Sequence, residues 1–449
     1  MKRNLLGALC TGCVSIAAQG ATIGVIDSGY DYEHEALAGK LWSNAGEIPG
    51  DGIDNDGNGK IDDVYGWNFA DKNSEIIDYT LQASYSPAIE KFFELQLAAI
   101  KGTATEGELI WMKEQLKDAE FVKNLETFGS YAHGTHVAGI IAKDNADAKL
   151  IALKLLSTKK AFWTLHKKVS QSLAAGQDLN FIKEFVIKLG LWGIAYQQSQ
   201  SLSQMAAYLQ QQGVAVANGS FGIGMDQARG LVTPLLLLLT TEPSPDQIEE
   251  YASFFIHKIA EEQSKILAKY PDILFVFAAG NEGTDNDAEP IAPASIRLDN
   301  VMTIGASIGN TGLAPFSNYG AATVDLFAPG VGIVSAVPRG NQYLPLSGTS
   351  MSAPEVARAA ALVKDRNPKL SPLEIREILK GTVDRKSFLK AMAYSEGVLN
   401  DERALFAAEQ TLTVPVKQAI QQAQKKVLDK AATLSIDAQT ADFSVVTPL

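Results

Sequence analysis

Residues 21–29 read Ala21-Thr22-Ile23-Gly24-Val25-Ile26-Asp27-Ser28-Gly29, a short apolar run that stops on a carboxylate. Five further runs share that outline: AKLIALKLL at 148–156, VAVANGSF at 214–221, ILFVFAAG at 273–280, VMTIGAS at 301–307 and VDLFAPG at 324–330. Strands covered on both faces read this way, apolar throughout rather than alternating. Between them lie stretches of helical spacing, such as Leu202–Gln211 and Pro245–Tyr270. The second has Ser244 as a candidate cap, acids in its first turns (Asp246, Glu249, Glu250) and Lys265 and Lys269 near its end. Strand alternating with helix predicts an α/β fold: a doubly wound, mostly parallel sheet with helices on both faces. Chemistry in such sheets collects at the carboxyl ends of the strands, which singles out Asp27, Asn218, Ser220 and Asn281.

Two regions interrupt the alternation. Residues 78–128 are rich in helix formers and carry no strand run, predicting a helical hairpin that turns near Gly102. Residues 157–200 are also mainly helical and end in a Gln/Ser-rich stretch. The pattern fades after about residue 405. From Pro415 a helix-like stretch runs to about Leu434, followed by a polar tail, and the whole of 406–449 reads as a surface appendage.

The first 20 residues, MKRNLLGALCTGCVSIAAQG, combine Lys2 and Arg3, an apolar run too short to span a bilayer, and small residues at Ala18 and Gly20. That is the pattern of a signal peptide, predicting export to the periplasm or the medium. Cys13 is a weak candidate for lipidation, because Cys10 stands where an aliphatic residue is expected. No other run predicts a transmembrane segment. With 39 Lys+Arg against 51 Asp+Glu, the formal net charge of the 449 residues is −12. This excludes a nucleic-acid or polybasic membrane binder, which needs a cationic surface to meet phosphates. Cys10 and Cys13 are the only cysteines, so the rest of the chain holds no disulfide framework and no thiolate metal site.

Four short sequences carry the chemistry. Asp27 stands just past a strand, and His133-Gly134-Thr135-His136 leads into an apolar helix. Gly348-Thr349-Ser350-Met351-Ser352 sets a hydroxyl at a tight turn before another helix, and Ala278-Ala279-Gly280-Asn281 ends a strand on an amide. A serine hydroxyl is a poor nucleophile until a base takes its proton, and the base needs a third group to hold its tautomer. His133 and His136 at i, i+3 could also be metal ligands, but neither the glutamate of an HExxH arrangement nor a cysteine accompanies them.

Together these sequences resemble those of the subtilisin-like serine proteases over about residues 21–405, in the Asp…His…Asn…Ser order that subtilisin itself exemplifies. The resemblance implies a serine endopeptidase acting through an acyl-enzyme, with no cofactor required for catalysis. In it Asp27 orients the base, His133 is general base then acid, Ser350 is the nucleophile, and Asn281 with the Ser350 backbone N–H forms the oxyanion hole. His136 takes a structural place in its helix. The resemblance also implies protein or peptide substrates that pair with an edge strand at Asn218-Gly219-Ser220-Phe221-Gly222. The specificity pocket then lies between Ser220, Phe221 and Gly222, the segment Ala278, Ala279 and Gly280, and Pro293-Ala294-Ser295. None of these is charged, which predicts cleavage after bulky apolar or uncharged side chains. A binding protein that keeps the fold without the chemistry is the alternative, disfavoured because all four catalytic positions are intact.

Residues 51–66, DGIDNDGNGKIDDVYG, are acidic and turn-rich. Asp54, Asp56 and Asn58 followed by Gly59 repeat the first half of a calcium-binding loop, with Asp62 at its ninth position. The twelfth position is Tyr65 rather than a bidentate Glu, so this is no EF-hand. The expectation is a structural calcium held among Asp54, Asp56, Asn58, Asp62 and Asp63; the plainer reading is a solvated acidic loop. The chain departs from the family pattern after the nucleophile, where Glu355 and Arg358 share a helix face and are positioned to pair. The Asp27-to-His133 separation is long because of the hairpin. No folding prodomain is expected before Asp27, since the preceding residues leave no room for one.

Overall fold

Side chains on successive strand residues point to opposite faces of a sheet, and here both faces are covered. Ile23 and Val25 of β1 (Thr22–Asp27) enter one core, and Ile26 enters another. A computed structural model of the protein describes residues 20–155, 180–237, 242–432, 434 and 440–449; residues 1–19 of the predicted signal peptide and 157–179 of the second insertion lie outside them. The strands after β1 are β2 (Gly66–Asn68), β3 (Lys149–Lys154), β4 (Val216–Gly219), β5 (Leu274–Ala278), β6 (Val301–Ile308) and β7 (Gly312–Leu313). They continue with β8 (Leu326–Pro329), β9 (Ile333–Val337), β10 (Gln342–Leu346), β11 (Asp384–Arg385) and β12 (Gly397–Val398). The helices are α1 (Pro87–Lys101), α2 (Glu106–Gln115), α3 (Ala119–Ala142), α4 (Asn180–Gln211), α5 (Met225–Leu237), α6 (Pro245–Leu267), α7 (Thr349–Arg366), α8 (Pro372–Gly381), α9 (Asp401–Gln410) and α10 (Val416–Lys426).

Among the described residues the main sheet runs β11-β12-β8-β6-β5-β4-β1-β3-β2, with β7 on β6. Every pairing from β12 to β2 along that path is parallel. Val25 lies between Ala152 of β3 and Asn218 of β4. All six expected strands are present. From β1 the chain passes to the edge strand β2, comes back to β3 beside β1, and then crosses to β4 on the other side, so successive connections diverge beside Asp27. Such a divergence opens a crevice at the carboxyl ends of the strands.

On one face, Leu150, Ala152, Leu274 and Val276 pack with Val137, Ala138 and Ile141 of α3 and Ala353, Val356 and Ala360 of α7. On the other, Ile151, Leu153, Phe275 and Phe277 meet Leu202, Met205 and Leu209 of α4 and Ile266 and Leu267 of α6. Arg358 of α7 bonds both Glu355, at 3.0 Å, and Asp401 of α9, at 2.9 Å, so the expected pair is a helix-to-helix tie.

The insertion at 78–128 is a hairpin that turns at Gly102, a left-handed cap with φ 73° ending α1. Its second arm departs from expectation. Instead of closing before His133, it continues through α3, a 24-residue helix that starts at the Asp118 cap and carries His133 and His136 in its interior. Ile89, Phe92, Phe93, Met112 and Phe128 bury a third core against Leu344 and Leu346 of the β9–β10 hairpin. Each such side chain contributes about 1.5–3 kcal/mol when fully buried. The insertion is therefore firmly fixed to the domain. His136 is held there too: its Nε2–H faces the carbonyls of Ile333 and Leu344 at 2.9 and 3.0 Å. Burial drives its pKa down to about 3, so it stays a neutral structural donor.

Candidate active site

Asp27 ends β1 and is buried, at 2 % exposure. Its Oδ1 accepts from the Ser28 backbone N–H at 2.7 Å and lies 2.7 Å from Nδ1 of His133. This contact is possible because Gly134 lets α3 touch the loop after β1: a Cβ there would sit 2.0 Å from the Gly29 carbonyl oxygen. The Gly134 N–H instead donates to Ser28 Oγ at 3.1 Å. Burial lowers the His133 pKa, but the charge of Asp27 and its hydrogen bond outweigh burial, leaving it above the ordinary histidine value. With Nδ1 committed to Asp27, Nε2 is the nitrogen free to exchange a proton with a substrate or nucleophile.

Ser350 is the second residue of α7 and is 5 % exposed. Helix-start N–H groups have no intrahelical acceptor, so the Ser350 amide is available to an external oxygen. Asn281 stands just past β5. Its Oδ1 accepts from the Thr349 backbone N–H and from Thr349 Oγ1, each at 2.9 Å. A backbone N–H can only donate, so the amide oxygen must face Thr349, and the amide NH₂ is turned outward. Asn218 Nδ2 donates to Ser220 Oγ, which donates to the Ser350 carbonyl, both at 3.0 Å, locking the end of β4 to the start of α7. The His133 ring makes no hydrogen bond to the Ser350 hydroxyl; such bonds are often long until substrate is bound.

Ser220, Phe221, Gly222, Ala278, Ala279 and Gly280 lie where the ends of β4 and β5 run side by side. One residue missed in the sequence stands between the two segments. A Cβ on Gly222 would meet Ile291 Cγ2 at 2.9 Å, and one on Gly280 would meet Ile291 Cδ1 at 2.5 Å. Ile291 is buried, at 4 % exposure, and is pinned through its backbone to Ser295.

The acidic loop is organised differently from the expectation. Glu47, Asp54 and Asp56 bring carboxylate oxygens within 4.8 Å of one another. Glu47 was missed because it precedes the motif. Asp62 is spent on the Gly50 and Gly52 amides, at 2.8 and 3.1 Å. Asp63 is fully buried and accepts from Asn44 and Asn58 and from the Tyr208 hydroxyl, with burial raising its pKa. Asn58 bonds Asp56 and Asp63. Burial pushes the Asp56 pKa up, but hydrogen bonds from Asn44 and Asn58 outweigh it and hold the carboxyl below the usual range.

The tail is not a surface appendage. The Leu449 N–H donates to the Ser347 carbonyl at 2.9 Å, and its main-chain oxygen accepts from Asn281 Nδ2 at 3.1 Å. A sequence reading had no local signal for this contact, which joins residues 168 positions apart.

Residues 18–405 match the subtilase family, and the chain belongs to that family. It is 41% identical to alkaline elastase YaB of Bacillus sp. (strain YaB) over 143 residues, 32% of this chain and 35% of that protein. Subtilisin Savinase of Lederbergia lenta is 41% identical over 143 residues, covering 32% and 50%. The chain thus spans between a third and a half of these relatives' length. Subtilisin-like protease 2 of Plasmodium falciparum (isolate 3D7) is 32% identical over 151 residues, 33% of this chain and 11% of that one. Among solved structures, a lanthipeptide protease is 18% identical with a TM-score of 0.48, covering 86% of this chain and 88% of that one. A cold adapted subtilisin-like serine proteinase is 20% identical with a TM-score of 0.43, covering 86% and 89%.

Proposed function

We propose that the protein is an exported serine endopeptidase whose catalytic unit is residues 21–405. The observation that carries this is the hydrogen bond between Asp27, at the end of β1, and His133 of α3, a helix packed beside α7, whose first turn holds Ser350. Ser350 Oγ attacks the scissile carbonyl carbon while His133 Nε2 takes the hydroxyl proton, and Asp27 stabilises the imidazolium. The negative oxygen of the tetrahedral intermediate accepts from Asn281 Nδ2 and the Ser350 N–H, donors already oriented before reaction. His133 then protonates the leaving amine, and water releases the acyl group by the same steps in reverse. No metal or cofactor enters this scheme.

The substrate is a peptide laid along 218–222. Ile291, lying between Gly222 and Gly280, replaces the expected preference for bulky apolar or uncharged side chains with one for small uncharged side chains before the scissile bond. Glu47, Asp54 and Asp56 supply the hard oxygens that a structural calcium takes. Export rests on residues 1–20; no helix among the described residues is long and apolar enough to cross a membrane.

The test is hydrolysis of casein and of paired peptide anilides ending in Ala or Phe. Ser350→Ala should remove all turnover, about 10⁶-fold by the standard of subtilisin, with the circular dichroism spectrum unchanged. The Ala substrate should be preferred at least tenfold. Persistent turnover in Ser350→Ala would overturn the peptidase reading, and preference for Phe would overturn the role of Ile291.

A further inference from the structure

The hairpin at 87–115 is an interaction surface with an occupant. Residues 440–449 cross it and end in the cleft. The Asp442 N–H donates to the Ala99 carbonyl at 3.0 Å, and Lys113 pairs with the Asp442 carboxylate at 2.9 Å. Gln96, almost fully buried, donates from Nε2 to the Val445 carbonyl at 3.2 Å and to Thr447 Oγ1 at 2.7 Å. Val445 is completely buried in the core shared by α1, α3 and the β9–β10 hairpin. Phe443 and Val446 pack against a neighbouring cluster that includes Ile100 and Val331. Beyond these anchors, Leu449 sits so close to Gly348 that a Cβ there would lie 2.1 Å from its oxygen, and its side chain reaches Gly129, one turn before His133.

We propose that residues 440–449 are an intramolecular inhibitor, docked on the hairpin and seated on the oxyanion donor. This rests on the reading of Asn281 as that donor. An oxygen already accepting from Asn281 Nδ2 occupies the position that the carbonyl of an attacked peptide must take, and Leu449 covers the approach between Ser347 and α3. The anchoring combines three chemistries: a buried apolar residue, a buried amide and a surface ion pair. A long apolar groove alone would bind many segments, whereas the spacing of Asp442, Val445 and Thr447 against Lys113 and Gln96 fits this one. The hairpin, which the catalytic scheme does not use, acquires a function as the dock.

The experiment uses the full chain and two single variants, Val445→Asp, which places a charge in the dock from the tail side, and Gln96→Leu, which removes two tail hydrogen bonds from the hairpin side. Each is assayed for hydrolysis of a short chromogenic peptide ester and for the rate of covalent labelling by a fluorophosphonate. A synthetic peptide of residues 440–449 is then added to the Val445→Asp protein, beside the same peptide carrying the Val445→Asp change. Both variants should hydrolyse and label at least tenfold faster than the parent. The parent-sequence peptide should restore inhibition competitively, and the altered one should not. Equal rates in parent and variants, all of them labelling, would overturn the inhibitor while leaving the peptidase intact. Folded proteins that neither label nor hydrolyse would overturn the peptidase reading and the inhibitor with it.

Discussion

On the Asp27 side of the cleft, the pair is held by β1, the loop after it and α3: Ser28 holds Asp27, Gly134 admits the close approach, and the carboxylate meets His133 at 2.7 Å. On the Asn281 side, Thr349 fixes the amide, and residue 449 completes its hydrogen bonding. The first half is paired through one oxygen, Asp27 Oδ1, which meets both the Ser28 N–H and His133 Nδ1, while the buried Oδ2 has no hydrogen-bond partner among the described residues. The second keeps a donor turned outward, as a site must if it is to receive charge that exists only during reaction. An outward donor is open to any oxygen the chain can deliver. The contrast explains why one half is internally paired and the other is where a segment from elsewhere can intervene.

The comparison breaks most sharply at Asp27. Asp27→Asn keeps the shape but reverses what the side chain offers to Nδ1, so kcat should fall on the order of 10⁴-fold; a loss under tenfold would show that the paired half does not govern the base. Asn281→Ala removes one donor from the open half. A fall in kcat on the order of 10²–10³, the range known for the same donor in subtilisin, with KM little changed, is expected; a change confined to KM would count against it.

The pH profile separates the halves further. In the proposed mechanism His133 works as the neutral base, so kcat/KM should fall tenfold per pH unit below its raised pKa, placing the acid limb above pH 6.5. Because the Asp27 charge is what raises it, the limb should move to lower pH in Asp27→Asn and stay put in Asn281→Ala. A limb that stays in place in Asp27→Asn would contradict the assignment. Smallest is the effect of a chelator. Removing calcium from the loop holding Glu47, Asp54 and Asp56 should lower Tm by a few degrees, about 1 kcal/mol in a domain of this size, with kcat unaltered. An unmoved Tm would argue for a solvated loop.

The sheet was readable because strands buried on both faces keep no polar alternation, as in 273–280 and 301–307. The β9–β10 hairpin was not, since Pro345 interrupts the apolar run of its second strand. The length of α3 was hidden by Gly129 and Gly134, which weaken a helix by about 1 kcal/mol each relative to Ala. They are present because Leu449 and Gly29 press against them. Asp27, His133, Asn281 and Ser350 were identified by local motifs. Thr349, Ile291 and Leu449 act across long separations, and a single sequence carries no mark of that; Glu47 is close by but lies outside the motif it joins.

The unbroken course of α3 makes His133 part of a shaft. Twenty-four residues at 1.5 Å each give a rod of roughly 36 Å, with the hairpin gripping one end and the imidazole midway along it. Phe121 and Leu125, packed in the hairpin's core, therefore share one continuous helix with the imidazole.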